Sequence, residues 1–391
     1  MGKNTRVIQI GTTQIGGGNP VLIQTMTATR TRDVDATSQS INRLVANGAG
    51  LIRVAVDVPD DAAALAEIRK RTRANLSVDL QENFRLAELV APNVDKIRYN
   101  PGHLHHLEPN VAWEKKVEYL VAVATEFNCA LRVGVNCGSI DPEILAKFHG
   151  RSSKDVDDIS LCVDPLLESA LEHVDFLESI KFQRYCVSIK DSDPKTVSLV
   201  NRRFSQLRPF VPLHLGVTEA GAPPRGVLKS RKALEPLLSE GIGDTVRVSL
   251  TVDADKKTEE IEAARLILKN VESGNIVDPE METSALNIVS CPSCSRVQNA
   301  RFVELARAIE KATEFAKDYP FKIAVMGCRV NGPGETDDAD VGLWCGPERV
   351  NLKSGSVSLG AFSYDEVVEK AVELLVSKTR EHDANRDSLK S

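Results

Sequence analysis

Two hydrophobic patterns alternate along the chain from about residue 20 to residue 270. Short β-branched runs read as strands: VLIQTM (21–26), LIRVAV (51–56), LSVDL (76–80), DKIRYN (95–100), ALRVGVN (130–136), RYCVSIK (184–190), PLHLGV (212–217) and DTVRVSL (244–250). Between them, TSQSINRLVANG, WEKKVEYLVAVATEF and PLLESALEHVDFLESI repeat apolar residues at three and four, the period of an amphipathic helix, and Gly48 stops the first of them. Eight strands alternating with helices over this span predict an α/β fold, a closed (β/α)8 TIM barrel. An open doubly wound sheet is the competing arrangement. It lacks its glycine fingerprint, because GTTQIGGG has the wrong spacing and GIGDTV precedes a strand.

RVIQIGTTQIGGGN (6–19) reads as a small hairpin ahead of the first barrel strand, placed to close the barrel's bottom. NVESGNIVDPEMETS (270–284) is polar and turn-rich, so the barrel domain is expected to span 1–272. A smaller α/β domain, 285–380, follows through LNIVS, a helix from about 300 to 318, KIAVMG, VGLW and a helix near 364–378. From 381 to 391 a frayed polar tail is expected. With 42% apolar and 27% charged residues the chain has the composition of a soluble globular protein. It contains neither a spanning apolar run nor a signal-type core, so a cytoplasmic location and no membrane partner are expected. Its formal charge of −6 argues against broad nucleic-acid binding, and any anionic ligand must meet clustered cations. The eight cysteines are scattered, which predicts reduced thiols rather than a disulfide framework.

A barrel builds its active site at the C-terminal strand ends and the loops after them. Those ends carry Arg53, Asp79, Arg98 with Asn100, Arg132 with Asn136, Lys190, Glu219, and Arg247 with Ser249. Five cations meet few acids there. A phosphorylated or diphosphorylated substrate would supply the missing charge; structural pairing with Asp79, Glu82 and Glu219 is the bland alternative.

Cys291 and Cys294 form C-x2-C around Pro292 and Ser293. Cys328 follows 34 positions after Cys294 in AVMGCRVNGPGE, Glu335 seven residues later, and Cys345 in GLWCGP. Four sulfurs from Cys291, Cys294, Cys328 and Cys345 could close a structural zinc site; three thiolates with another ligand could hold an iron–sulfur cluster. Spacing leaves both open. Cys129, Cys137, Cys162 and Cys186 read as small buried hydrophobes, and His103, His105 and His106 as a solvated turn.

At CPSCSR together with MGCRVNGPGE the sequence resembles the 4-hydroxy-3-methylbut-2-enyl diphosphate synthase family, iron–sulfur reductases of the non-mevalonate isoprenoid pathway. The match runs over nearly the whole chain, through QTMTATRTRDV, LIRVAV, IRYNPG, RVGVNCGS, LLESALEHVDFLE, VSIKDSD, HLGVTEAG and LLSEGIGDTVRVSL. The resemblance implies the two-domain form, a TIM barrel joined to a cluster domain. In it a 4Fe-4S cluster is held by Cys291, Cys294 and Cys328 with Glu335 on the fourth iron, and Cys345 is a spectator. The implied substrate is 2-C-methyl-D-erythritol 2,4-cyclodiphosphate. Arg53, Arg98, Arg132, Asn136, Lys190, Arg247 and Ser249 match its anchors, and Glu219 matches an acid near the reacting hydroxyls. One departure stands at Asp79-Leu80-Gln81-Glu82, where many relatives carry histidine in place of Gln81, a side chain that cannot titrate.

The implied reaction expels the C3 oxygen as water, which needs single electrons and a Lewis acid on the departing oxygen; a cluster supplies both. Glu335, a weaker iron ligand than thiolate, would yield to substrate, and Glu219 would donate a proton to the leaving hydroxyl. Flavodoxin or ferredoxin is the implied electron donor, since no nicotinamide or flavin fingerprint is visible, and a head-to-tail homodimer the implied assembly. Two other classes remain: a non-reductive barrel lyase or synthase acting on a phosphorylated substrate with a structural zinc, and a cluster-based sensor of nucleic acid, which the acidic balance disfavours.

Overall fold

The computed structural model of the chain describes residues 4–80, 82–148, 158–281, 284–297, 299–328 and 332–388. Gln81 and the last three residues of the expected tail lie outside them. The described chain divides into two compact units, one comprising residues 1–218, 227–249 and 254–279, the other 219–226, 250–253 and 280–391.

In the first unit a hairpin of β1 (Ile8–Ile10) and β2 (Thr13–Ile15) precedes eight strands: β3 (Leu22–Met26), β4 (Leu51–Ala55), β5 (Leu76–Asp79), β6 (Lys96–Tyr99), β7 (Ala130–Asn136), β8 (Tyr185–Lys190), β9 (His214–Leu215) and β10 (Thr245–Val246). All eight fall within the runs read as strands, and their order, β8-β7-β6-β5-β4-β3-β10-β9, is parallel throughout. The Val187 N–H donates to the Pro212 carbonyl at 3.0 Å, and Val187 bridges Leu213, which brings β8 back to β9. This is the barrel the pattern predicts. Ile8, Ile10 and Ile15 of the hairpin bury themselves against Leu51, Ala130 and Cys186, residues at the N-terminal ends of their strands, and so plug that end.

Barrel interiors are usually filled by Val, Ile and Leu. Here the strands instead bury polar side chains, among them Gln24, Ser77, Lys96, Arg98, Arg132 and Lys190. The ladder is shortest at β9 and β10, two residues each, where PLHLGV and DTVRVSL predict longer strands. Gly216, just beyond β9, has no room for a side chain: a Cβ there would lie 2.7 Å from Lys190 Nζ and 2.6 Å from the Arg247 carbonyl oxygen. The Lys190 side chain thus takes space that a side chain at position 216 would fill.

His105 and His106 are exposed, as the turn-rich sequence suggests, but His103 is buried, held in a turn that Asn100 caps by accepting from the Gly102 N–H at 3.2 Å. Burial, with the Arg98 charge second, pushes its imidazole down to about 3. Burial does the same to His173, which lies 4.2 Å from the Trp113 ring, with Nδ1 3.3 Å from the Tyr99 hydroxyl. Below pH 6.5 the unfolded chain binds protons that the folded chain refuses, so stability present above pH 6.5 is lost as the pH falls towards 3. Each histidine then costs about 1.4 kcal/mol per pH unit. The urea midpoint is expected to drop steeply between pH 6.5 and 5, with a shallower slope in His173→Asn; equal slopes would show that His173 titrates normally.

The second unit is built on a sheet ordered β11 (Asn287–Ser290), β12 (Lys322–Met326), β13 (Val341–Cys345), β14 (Val350–Ser354) and β15 (Val357–Phe362), the first three parallel and the last two antiparallel. Helices Arg301–Ala312 and Val367–Ser388 contribute Phe302, Ile309, Val367 and Leu375 to its core. The last helix runs on to Ser388, past residue 380 where a frayed tail is expected. Asp383 explains this by accepting from the Tyr319 hydroxyl at 2.7 Å, while His382 packs edge-on against Tyr319 and Phe321.

Candidate functional site

The barrel strands gather the predicted cations. Arg98 Nη1 lies 2.8 Å from Asp79 Oδ1 and Nη2 donates to the Gly134 carbonyl at 2.9 Å, a position that must be glycine because a Cβ would meet the Arg98 guanidinium at 2.2 Å. Arg53 is 3.9 Å from the other Asp79 oxygen and directs Nε and Nη2 at the Met26 sulfur, 3.2 and 3.0 Å away. Thioether sulfur is a weak acceptor. Arg132, Lys190 and Arg247 make no ion pair among the described residues, and Nε and Nη1 of Arg132 and Nε and Nη2 of Arg247 are buried without a hydrogen-bond partner there. Such orphaned donors cost about 1–3 kcal/mol each, more when charged, and a bound anion would satisfy them.

Mutual repulsion marks how closely these groups converge. Burial first, then Arg132, Arg247, Arg53 and Arg98 in turn, hold the Lys190 ammonium well below its ordinary range. Arg53 is lowered by burial and then by Arg247, and Arg132 goes down to about 10 through burial and Arg98. Asp79 pairs with two of these cations, Arg98 and Arg53. Glu82, offered as another partner, is half-exposed and faces His106 at 3.6 Å. Asn136 ends β7, and Ser249 is buried just beyond β10. Asn100 is engaged by the turn after β7, donating from Nδ2 to the Ser139 hydroxyl at 2.8 Å.

Sequence reading missed a further polar layer. Lys96, buried and bonded to Gln24 Oε1 at 3.0 Å, is brought down to about 7 by burial, and His214 shares a 2.6 Å bond between Nδ1 and the Thr245 hydroxyl. The signal was present: Lys96 stands two residues before Arg98 and, by strand alternation, on the same face.

Glu219 belongs to the second unit, with the rest of 219–226. It is buried, with a φ of 45° that non-glycine residues seldom adopt, and its carbonyl accepts from the Ser290 N–H at 3.2 Å. Strain of this kind clusters at functional positions. Thr251, in the other contributed segment, bonds the carbonyls of Ser290 and Cys291 at 3.1 and 3.0 Å.

Cys291 follows β11 and Cys328 follows β12, so adjacent parallel strands deliver both thiols at their C-terminal ends. Cys291 Sγ accepts the Gly327 N–H at 3.2 Å. Hydrogen bonding to the Cys328 thiol, then burial, then the Cys328 and Cys294 charges push the Cys291 thiol well up. Ser293, at φ 32°, turns the chain between Cys291 and Cys294, and Cys328 bridges Val297. Cys345 is elsewhere engaged: burial pushes it up to about 12, and its thiol bonds the Tyr364 side chain. Among the described residues no three His, Cys, Asp or Glu side chains converge on a single metal-ion position, neither the four sulfurs of the zinc reading nor the three thiols with Glu335. The donors do suit a larger iron–sulfur group: soft thiols from two neighbouring loops, one already accepting an N–H bond. Glu335, in the short helix Gly332–Asp337, places Oε2 3.2 Å from Lys322 Nζ, which also binds Asp338 at 2.7 Å. Of the other thiols, Cys129 and Cys186 are buried as expected, whereas Cys162 is exposed and bonds the half-buried Cys137.

Residues 5–265 match the family model described as the GcpE TIM-barrel domain, and residues 287–377 the GcpE protein C-terminal domain. The chain belongs to the GcpE family. A 4-hydroxy-3-methylbut-2-en-1-yl diphosphate synthase (flavodoxin) from Rhodopirellula baltica is 55% identical to it over 367 residues, 94% of each chain. One of the same name from Fusobacterium nucleatum is 40% identical over 347 residues, 88% of this chain and 89% of that one. The resemblance carried by CPSCSR and MGCRVNGPGE therefore holds for this GcpE chain, and so does the barrel followed by a smaller domain. No helix among the described residues is long and apolar enough to cross a membrane.

Proposed function

We propose that this chain converts 2-C-methyl-D-erythritol 2,4-cyclodiphosphate to 4-hydroxy-3-methylbut-2-enyl diphosphate, taking two electrons and two protons and releasing one water. The observation that carries this reading is the barrel ring: Arg53, Arg98, Arg132, Lys190 and Arg247 held together with one carboxylate, Asp79, and with buried guanidinium donors lacking partners among the described residues. A diphosphate brings the complementary charge, and bidentate guanidinium contacts fix its orientation. Asn136 and Ser249 would bond the diphosphate or the substrate hydroxyls, and Asn100 would hold the neighbouring loop.

Cys291, Cys294 and Cys328 would hold a 4Fe-4S cluster, with Glu335 on the fourth iron. When bound, that group supplies single electrons from flavodoxin or ferredoxin and a Lewis acid for the departing C3 oxygen. Glu335 would be the weakest ligand of the set, and the Lys322 ammonium, 3.2 Å from its carboxylate, would pair with it when it is not ligating. Glu219, buried and backbone-constrained, donates the proton that turns the leaving hydroxyl into water. A head-to-tail homodimer, the cluster domain of one chain serving the barrel of another, belongs to the same reading.

Anaerobic incubation of the reconstituted chain with the cyclodiphosphate and reduced flavodoxin tests it: the open allylic diphosphate should accumulate, and unreacted substrate under these conditions would refute the assignment. Glu219→Gln is expected to lower kcat about 10²–10⁴-fold, the usual worth of a general acid, with KM little changed. Normal turnover by this variant would remove Glu219 from the mechanism.

A further inference from the structure

The five cations of the barrel mouth are not equivalent. Four are guanidiniums, which keep their protons in any protein environment; the fifth, Lys190, carries an ammonium that can become a neutral amine. Lys190 ends β8, is buried, and makes no ion pair among the described residues. Arg53, Arg98, Arg132 and Arg247 face it from β4, β6, β7 and the segment after β10. Lys96 and His214, from β6 and β9, add no negative charge. Asp79 of β5 is committed to Arg98 at 2.8 Å and lies 3.9 Å from Arg53. The next carboxylate along the chain, Asp191, accepts the Asp193 N–H at 2.7 Å and bonds the Cys137 thiol. Gly216 leaves the ammonium its space, with an added Cβ only 2.7 Å from Nζ.

A fifth positive charge beside four fixed ones in a water-poor cavity is repelled by all of them, and shedding one proton relieves that repulsion. A bound polyanion reverses the balance, because its oxygens then face Nζ at contact distance. From this arrangement we infer that Lys190 is the charge-matching residue of the site: a neutral amine in the empty barrel, it takes up one proton when a diphosphate enters. The inference rests on the diphosphate reading of the mouth. It makes Lys190 a specificity-determining residue, since a neutral or singly charged ligand offers less charge to retain the added proton than the cyclodiphosphate dianion does, and it links substrate affinity to pH.

Calorimetric titration of the full chain with cyclic trimetaphosphate tests this, because that trianion carries no titrating proton near neutrality. Measured at pH 8 in two buffers of different ionisation heat, binding should take up about one proton per site. Between pH 7.5 and 9 the affinity should fall about tenfold per pH unit. Lys190→Arg, which keeps its charge at every such pH, should bind with no proton uptake and a flat pH profile. Tight binding by the natural chain with neither buffer nor pH dependence overturns the inference while leaving the diphosphate site intact. Uptake that persists in Lys190→Arg overturns it too, by assigning the proton to another group. If trimetaphosphate and pyrophosphate both fail to bind, the diphosphate reading falls with it. The pH profile of the natural chain decides the matter even if the arginine variant does not fold.

Discussion

Replacing Arg132 and Lys190 together by methionine should abolish the protection that pyrophosphate gives against thermal unfolding and, at the same time, leave the empty chain more stable than the natural one. These opposite signs follow from one arrangement. Both side chains are buried without an ion pair among the described residues, so the empty folded chain bears the desolvation of the Arg132 charge and the cost of stripping Lys190 of its proton, neither of them compensated. Methionine removes that cost and fills similar volume. Each charge-assisted contact to phosphate contributes about 2 kcal/mol, so losing two weakens binding by about 4 kcal/mol, roughly a thousandfold in Kd. At a pyrophosphate concentration near one hundred times Kd the natural chain gains about 2.7 kcal/mol, a rise in Tm of roughly 5 °C, and the variant should show none. A variant still protected would mean that the ring does not hold the anion. A variant less stable when empty would mean that the two cations have acids to hold them in place.

Cys328→Ser carries the second large effect. Serine oxygen is a hard, weakly acidic donor that stays protonated near neutrality, so it replaces thiolate poorly on iron. The variant should lose the brown absorbance of the reconstituted protein and at least about a hundredfold in turnover, while the barrel's affinity for pyrophosphate stays unchanged. Mixing it with the Arg132→Met, Lys190→Met variant then probes the assembly. In a head-to-tail dimer one site of the mixed pair combines an intact ring with intact thiols, so activity should return towards a quarter of the natural value at equal mixing, given that half of the dimers are mixed and each has one working site of two. No recovery despite subunit exchange would indicate that each chain works with its own two domains.

The barrel was legible because each strand is a compact β-branched run and each helix keeps its three-four period; LIRVAV and ALRVGVN are examples, and both become strands in register with their neighbours. The cation ring was legible for a related reason. Polar residues at the ends of otherwise apolar strands have no structural purpose in a packed core, which singles out Arg53, Arg98, Arg132, Lys190 and Arg247. What failed to show were properties set by contacts distant in sequence. His103 reads as solvated in a run of polar residues, yet the turn capped by Asn100 buries it. Lys96 resembles any strand lysine until Gln24, 72 residues away, accepts its proton bond. Segments 219–226 and 250–253 look like ordinary barrel loops, but Ala220 bridges Ser290 and Thr251 bonds Cys291, so they join the second unit. Glu335 pairs with Lys322 across thirteen positions, a partnership that no local spacing announces.

Three thiols and a displaceable carboxylate around iron are what distinguish a reductase from a barrel enzyme with a zinc-bound tail. Isolating the chain without oxygen and determining iron, acid-labile sulfide and zinc alongside its visible spectrum separates the two. Close to four irons and four sulfides per chain, with a broad absorbance near 400 nm, is the predicted result; stoichiometric zinc with no sulfide in a colourless protein would contradict it.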